Sequence, residues 1–500
     1  MKLRDYQQDL FNKSQQSYRK GNKFPCIVLP CGGGKTAIMG AVAESANNKG
    51  TPVVLIAHRQ ELITSISMSL SRFGLEHRLI CSDATASGIK LQQYKAFSRV
   101  FVNPTSKVMV ASIQTLVKRM DKINPMPKLL ICDEFHHMIK GSNYSKVYEY
   151  FNKPYGLGLT ATPIRLSGES LGVEGGSGYA DDLIEGPSME WLMGNGFLSK
   201  YKIFASQTHI DLTSVKKKKS GEYNEKEVAE IVDKPSIVGD AVKTWLKHGK
   251  GMQTVAYCAS VNHSLHTRDA FIQAGVRAEH LDGGMNAQDR KRIIDDFADG
   301  KIEVLCSISI LGEGFDLASI AQKDVNIQCV VNLSPTNSLS WYIQKMSRAL
   351  RGAGGRVSLL LDHVGDTYRH GLVEQERVWS LDGEEKKKKN TDESAISVRT
   401  CTSCFAIMLS KHKECVNCGF VFPIKERVIE EREGELYELT DEDKARMKYE
   451  LKWSKKREQA SAESLEDLIA LGEKRGYKSP KAWALRLHHA REQKKLAQGV

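Results

Sequence analysis

The sequence predicts an α/β protein: two parallel-sheet domains in tandem, then a small cysteine-rich module and a helical, basic tail. Three observations predict it. Short β-rich apolar runs alternate with helix-length segments in two separate series, each of a size for one sheet. The chain has 500 residues, more than one hydrophobic core usually serves. Four of its 11 cysteines form two Cys-x-x-Cys pairs just beyond residue 400, apart from the other seven.

The first series of runs covers 24–30, 52–58, 107–113, 128–134 and 155–162, and the second covers 253–260, 303–309, 328–333 and 356–363. Residues 166–186, rich in glycine, serine and acids, read as a mobile surface loop. Residues 212–233 carry four consecutive lysines at 216–219 and read as an exposed basic hairpin or loop. A second lysine run, 386–389, marks a polar linker. These shifts divide the chain into a first domain (1–207), a basic insertion (208–235), a second domain (236–380), a linker (381–397), the cysteine module (398–424) and a tail (425–500).

Bulk composition narrows the function classes. Hydrophobic residues make up 41% and charged residues 26%, enough for packed cores under a charged surface. The net charge of +12 favours an anionic partner, of which nucleic acid is the usual one. The N-terminus lacks the apolar stretch of a secretion signal, and no uninterrupted apolar run is long enough to cross a bilayer. A reducing cytoplasm is therefore expected, with cysteines as thiols or metal ligands rather than disulfides. Seven of them lie in apolar stretches and should pack as small hydrophobic residues.

Two motifs carry the chemistry. Pro30-Cys31-Gly32-Gly33-Gly34-Lys35-Thr36 follows a strand and precedes a helical pattern, the setting of a phosphate-binding loop. Its glycines let backbone amides curl around phosphate oxygens, and the helix N-terminus adds favourable partial charge. Lys35 would bridge the β- and γ-phosphates and Thr36 would ligate Mg²⁺. Leu29 stands where the first glycine of such loops usually is. The second motif is an apolar strand, 129–132, ending in Asp133 and Glu134. A carboxylate delivered beside a phosphate-binding loop holds Mg²⁺ through its water shell; that is Asp133, and Glu134 would orient and deprotonate the attacking water.

With Asp133-Glu134-Phe135-His136 in place, residues 1–365 or so resemble superfamily 2 helicases of the DExH type. The resemblance implies two RecA-like domains with ATP between them. Leu3-Arg4-Asp5-Tyr6-Gln7 resembles the Q-motif, which implies adenine contacts for Arg4 and Gln7. The segments around Arg59 and around Gln114 and Thr115 resemble the strand-tracking motifs of the first motor domain. Thr160-Ala161-Thr162 resembles the motif that couples hydrolysis to domain movement, a role that His136 would share. Gly314-Phe315-Asp316 resembles motif V, implying nucleotide contacts for Gly314 and Asp316. Gln344 to Arg351 resembles motif VI, with Ser347 where glycine is usual. Residues 340–350 also have a helical pattern of their own, and spacings of four and three place Gln344, Arg348 and Arg351 on one face. Two arginines so aimed can grip a γ-phosphate.

Beyond the motor, Cys401, Cys404, Cys415 and Cys418 have the spacing of a structural Zn²⁺ ribbon. The tail should open a helix at Thr440 and a later one at Ser479-Pro480, where lysines and arginines are interleaved with Tyr477 and Trp483. These side chains suit contact with nucleic acid, or equally a solvated helix with Trp483 packed on its neighbour. A motor core followed by a cysteine module resembles bacterial RadD-type and phage branch-migration helicases. That resemblance implies a DNA helicase of a bacterial or phage-infected cell, acting on branched or forked DNA, with the oligomeric state open and a monomer favoured. An RNA helicase with the same motor, and a nucleic-acid-binding scaffold with an inactive motor, are the alternatives.

Overall fold

The computed structural model describes residues 1–206, 210–218, 220–308, 317–321, 323, 325–352, 355–382, 398–400, 407–409, 414, 436–438, 440–462, 464–474, 480–481, 483–485 and 487–488. The first apolar series supplies five strands of a seven-stranded parallel sheet. The sheet's strands are β1 (Pro25–Val28), β2 (Val53–Ala57), β3 (Arg78–Ile80), β4 (Val108–Ser112), β5 (Leu129–Asp133), β6 (Tyr155–Thr160) and β7 (Asp182–Glu185). Strands β3 and β7 complete it, in the spatial order β3-β4-β2-β5-β6-β1-β7. Strands β1, β2, β4 and β5 are buried along their whole length, because helices cover both faces of the sheet. Side chains alternate between two apolar layers, as a period of two requires. Val53, Leu55 and Ala57 enter one layer, and Val54 and Ile56 enter the other.

The second sheet comprises β8 (Lys200–Ser206), β9 (Thr254–Tyr257), β10 (Ala278–Leu281), β11 (Val304–Ser307), β12 (Cys329–Asn332) and β13 (Val357–Asp362), all parallel. A short antiparallel pair, β14 (Val398–Thr400) and β15 (Ile407–Leu409), stands apart from it. Then β16 (Leu436–Glu438) closes the second sheet, antiparallel to β8, giving the order β10-β11-β9-β12-β13-β8-β16. The tail thus contributes a strand to the motor as well as helices. Thr440 caps the helix Asp441–Ser461 in a reciprocal capping box with Asp443. Trp483 packs against Gly472 of the helix Leu465–Lys474, the more ordinary of its two expected settings. Among the described residues no helix is long and apolar enough to cross a membrane. All seven cysteines outside the cysteine module are buried free thiols.

Three expectations change. The first domain does not run to residue 207: β8 pairs with β13 from Lys200 to Ala205, so the chain enters the second sheet before Lys200. Residues 166–186 are more than a surface loop, since β7 pairs with β1 and both Leu171 and Ala180 are buried. Its acid-flanked sequence suits an edge strand, where one side faces no partner. Residues 208–235 are more than a basic linker. Leu212, Val215, Tyr223, Val228 and Val232 form a small core with Ala259 and Val364 of the second domain. Glu222 fastens the hairpin there, accepting from Thr336 Oγ1 at 2.6 Å and from the Asn337 amide at 2.8 Å.

The chain passes between the domains at least three times: twice within the described residues, and once more between Leu381, bonded to the first domain, and β16, paired in the second. At the first crossing the Leu198 amide bonds back to Leu192, while the Ser199 amide bonds forward to Leu350. At the second, Arg377 donates to carbonyls at His370 and Leu372 of the second domain. Four residues later the Leu381 carbonyl accepts from the Leu171 and Gly172 amides of the first, at 2.8 and 3.0 Å.

Candidate functional site

In a parallel sheet all strand C-termini lie along one edge, and three neighbouring strands meet the site there. Val28 of β1 is level with Thr160 of β6, and Asp133 of β5 with Leu159 of β6. The glycine loop after β1, the Thr160–Thr162 segment after β6 and the acids closing β5 are therefore adjacent.

The loop is held from the N-terminal helix Asp5–Arg19. Tyr6 Oη and Gln7 Nε2 donate to the Gly33 carbonyl at 2.8 and 3.1 Å, and Gln7 Oε1 accepts from the Arg4 amide at 3.0 Å. Gly34 has φ of 87°, in the region open to glycine, and a Cβ there would lie 2.3 Å from Gln7 Nε2. The helix Lys35–Asn48 starts immediately after it, with no acid in its first turn to compete for an anion. Lys35 Nζ donates to the Leu29 carbonyl at 3.1 Å.

Asp133 and Glu134 are both buried. Burial first, then the charge of Glu134, pushes the Asp133 carboxyl up, to about 6, against the opposing pull of Lys35. Two adjacent buried carboxylates facing Lys35 offer hard oxygen donors to a cation. Glu134 has φ of 48° and ψ of 56°, uncommon for a residue with a side chain and often found at functional sites. His136 Nδ1 lies 3.5 Å from Glu134 Oε2 and 3.3 Å from Thr160 Oγ1.

The second domain supplies the opposite wall. Gln344 and Arg348 are buried, and Arg351 is exposed. The expected helix 340–350 ends early, spanning Leu339–Met346, so of the three it carries Gln344. Beyond it, Arg348 N bonds to Lys345 O and Leu350 N to Ser347 O, so a tight turn continues the rotation and keeps the three residues on one side. Ser347, in the glycine position, is buried and bonds back to the Ile343 carbonyl at 2.5 Å.

One cavity of about 400 Å³ joins these parts. Arg4, Cys31, Gly32, Gly34, Lys35, Thr36, Asp133 and Glu134 line it from the first domain, and Gln344, Arg348 and Arg351 from the second. Both amide atoms of Gln344 are buried without a hydrogen-bond partner among the described residues. An amide so placed is ready for a polar ligand, since leaving it unmatched is costly. Hydroxyl and carboxylate oxygens at Thr36, Asp133 and Glu134 are the hard donors that Mg²⁺ takes. Pro30 begins the loop outside this lining and lines a neighbouring crevice between the domains.

Two residues of this region had no sequence signal. Phe197 lines the cavity mouth, with the Arg4 guanidinium 4.8 Å from its ring centroid. It follows a Gly-Asn-Gly stretch that reads only as a turn. Ser340 reaches across the interface to place Oγ 2.6 Å from Thr162 Oγ1. The expected nucleic-acid residues sit at the ends of β2 and β4, which pair in register. Arg59 caps the helix Gln60–Arg72, Gln114 is exposed with Nε2 donating to the His58 carbonyl at 2.8 Å, and Thr115 is half-buried. Gly314, Asp316 and the four module cysteines Cys401, Cys404, Cys415 and Cys418 lie outside the described residues. Among the described residues no cluster of metal-ligating side chains occurs.

Known proteins share this organisation. Residues 1–165 match the family described as type III restriction enzyme, res subunit, and residues 234–353 match the helicase conserved C-terminal domain. A 51.5 kDa protein of a Lactococcus phage is 30% identical over 423 residues, 84% of this chain and 83% of that one. A Schizosaccharomyces pombe protein, named as a mitochondrial ATP-dependent helicase, is 27% identical over 388 residues. The match covers 74% of this chain but only 59% of that protein. Among solved structures, a fragment of an HsdR subunit of a type I restriction enzyme from Vibrio vulnificus superposes with a TM-score of 0.51. It is 17% identical and covers 76% of this chain and 69% of that one, a likeness of fold: two parallel-sheet domains in tandem. Taken with the two-domain cleft, these relatives identify the chain as a member of the superfamily 2 helicases, ATP-hydrolysing enzymes that use Mg²⁺ and bind nucleic acid.

Proposed function

We propose that this chain is an ATP-driven DNA helicase or translocase that unwinds or branch-migrates forked or junction DNA in replication, recombination or repair. The observation that carries the motor part is the single cleft where Lys35, Asp133 and Glu134 face Gln344, Arg348 and Arg351. In this reading Pro30 to Thr36 cradle the phosphates, Arg4 and Gln7 contact the base, and Thr36 with Asp133 holds Mg²⁺. Bound Mg²⁺ neutralises phosphate charge. Glu134 takes a proton from the attacking water, and Arg348 and Arg351 stabilise the charge that develops on the transferred group, with Gln344 positioning. Arginines in this role are worth about 10³–10⁵ in rate in related phosphoryl-transfer enzymes. The Thr162–Ser340 contact and His136, between Glu134 and Thr160, support their assignment to coupling. Gly314 and Asp316 would complete the nucleotide contacts, and Arg59, Gln114 and Thr115 would track one strand.

The choice of branched DNA rests on the resemblance to RadD-type and phage enzymes, and the net charge of +12 supports only an anionic partner such as nucleic acid. A structural Zn²⁺ at Cys401, Cys404, Cys415 and Cys418 rests on their spacing. The test compares ATPase stimulation by single-stranded, duplex, forked and four-way DNA, with RNA alongside. We expect forked or four-way DNA to stimulate most and Lys35→Ala to abolish strand separation. Stimulation by RNA alone would replace the DNA assignment, and strand separation undiminished in Lys35→Ala would remove the motor. Metal analysis of the purified chain should find one zinc, lost in Cys401→Ser/Cys404→Ser.

A further inference from the structure

The Asp133–Glu134 motif is followed by two histidines, and the second, His137, has no role in the site described above. Its ring lies between two others. The His137 centroid is 4.3 Å from that of His136 and 4.7 Å from that of His58, in edge-to-face contact with the latter. Tyr144, from the helix Asn143–Tyr150, stacks on it from a third direction at 6.1 Å, with 18° between the planes. His58 follows β2 and immediately precedes Arg59, and its carbonyl is the acceptor for Gln114 Nε2. The histidines thus connect the catalytic acid's turn to both segments assigned to the nucleic acid.

We propose that His137, working against His58, is a positioning residue that transmits nucleic-acid binding at Arg59 and Gln114 to Glu134. The Phe135–His137 segment is a single tight turn, and Glu134 enters it with φ of 48°, a small well with little slack. A displacement of the His137 ring therefore turns the short segment as a unit and re-aims the Glu134 carboxylate. His58 can supply that displacement, because Gln114 ties its backbone to the short helix Ile113–Val117 that follows β4. The contact is between packed rings, so what it transmits is position. This inference rests on the assignment of Arg59 and Gln114 to nucleic acid.

The test measures ATP turnover of the full chain with and without an oligothymidylate strand, together with binding of that strand. For His137→Ala we expect basal turnover and strand affinity within about twofold of the parent, with stimulation reduced about tenfold. His137→Phe, which keeps a ring in the contact, should restore most of the stimulation, and His58→Ala should reproduce the loss through an independent substitution. Full stimulation in both alanine variants would overturn the proposal. So would basal and stimulated rates falling by the same factor, the mark of a merely structural role. If Arg59→Ala and Gln114→Ala bind the strand as the parent does, the nucleic-acid assignment of that edge falls and takes the far end of this route with it. The His137→Ala stimulation ratio stays a separate reading of the histidine contact.

Discussion

Gly34 shows how little freedom the residue scale leaves at the phosphate loop. Its φ of 87° disfavours any side chain, and a Cβ would lie 2.3 Å from Gln7 Nε2, which also secures the Gly33 carbonyl. Gly34→Ala should therefore lower ATP turnover by at least about tenfold while global stability falls only about 1 kcal/mol, because the strain is local. Steady-state turnover and a denaturant titration on the same preparation check both parts. Gly158 meets a different constraint: a Cβ there would lie 2.4 Å from the Phe135 ring, next to the catalytic acid. Gly158→Ala should cost about 1–3 kcal/mol in the same titration, since an overpacked core cannot absorb the methyl group. At this scale much of the candidate site was legible. Lys35, Thr36 and Asp133 sit at spacings imposed by local backbone, which a sequence displays directly. Phe197 and Ser340 were not legible, because their partners are far away in the chain.

At the scale of elements, two buried polar groups hold the second domain together. Lys345, on the helix Leu339–Met346, is fully buried and donates to Asn332 Oδ1, the Ser334 carbonyl and Asp366 Oδ2. Burial lowers its pKa, and Asp366 opposes that shift. Lys345→Met would leave Asp366 buried with one cation fewer, a change that typically costs about 3–5 kcal/mol, measurable as a lower denaturant midpoint. His263, at the start of the helix Val261–Gln273, accepts from the Ala259 amide through Nδ1. Burial, partly opposed by Asp233, pulls its pKa from 6.5 down to about 4. The unfolded chain then binds the proton first as pH falls, so this contribution is complete above about 6.5 and is lost progressively towards about 4. Between pH 7 and pH 5 it amounts to about 2 kcal/mol. His263→Asn, which keeps an acceptor but cannot titrate, should flatten that part of the stability–pH curve. An unchanged slope would remove His263 as its origin.

For the whole molecule, the two crossings within the described residues constrain how the cleft can open. The joints lie at Leu198–Ser199 and between Arg377 and Leu381, since hydrogen bonds assign the residues on either side to opposite domains. Thr162 meets Ser340 across the interface, a contact that opening of the cleft would have to break. If Leu381 stays with the first domain throughout the cycle, locking it there should be harmless. A Cβ on Gly172 would stand 3.1 Å from Leu381 Cβ, so a further separation of a few tenths of an ångström would admit a disulfide. Oxidised Gly172→Cys/Leu381→Cys should retain turnover and strand separation within about twofold. Loss of strand separation that reductant restores would place the moving joint elsewhere. Strand β16 can be separated from the tail's proposed contact with nucleic acid. Truncation after Ile424 removes β16 and uncovers the edge of β8, whereas a chain ending at Ser461 keeps both β16 and its capped helix. The longer truncation should weaken DNA binding and flatten its salt dependence together with a loss of stability; the shorter should affect DNA binding alone.

What the sequence determined by itself was chemistry carried on contiguous backbone: the glycine loop on its strand and helix, the paired acids closing β5, the two series of apolar runs that became two parallel sheets, and the capped helix at Thr440. Each depends on neighbours within a few residues, where period and spacing are enforced by the chain itself. Only the tertiary structure decided which sheet β8 joins, that β16 returns to close it, and that a short polar run at 182–185 is a strand. Strand pairing is non-local, and short edge strands lack the long apolar run that marks a central one. The cleft belongs to the same class. Gln344, Arg348 and Arg351 had a common face in the sequence, but their place opposite Lys35 depends on the chain passing between the domains and on a packed interface, which arise only when both domains are folded.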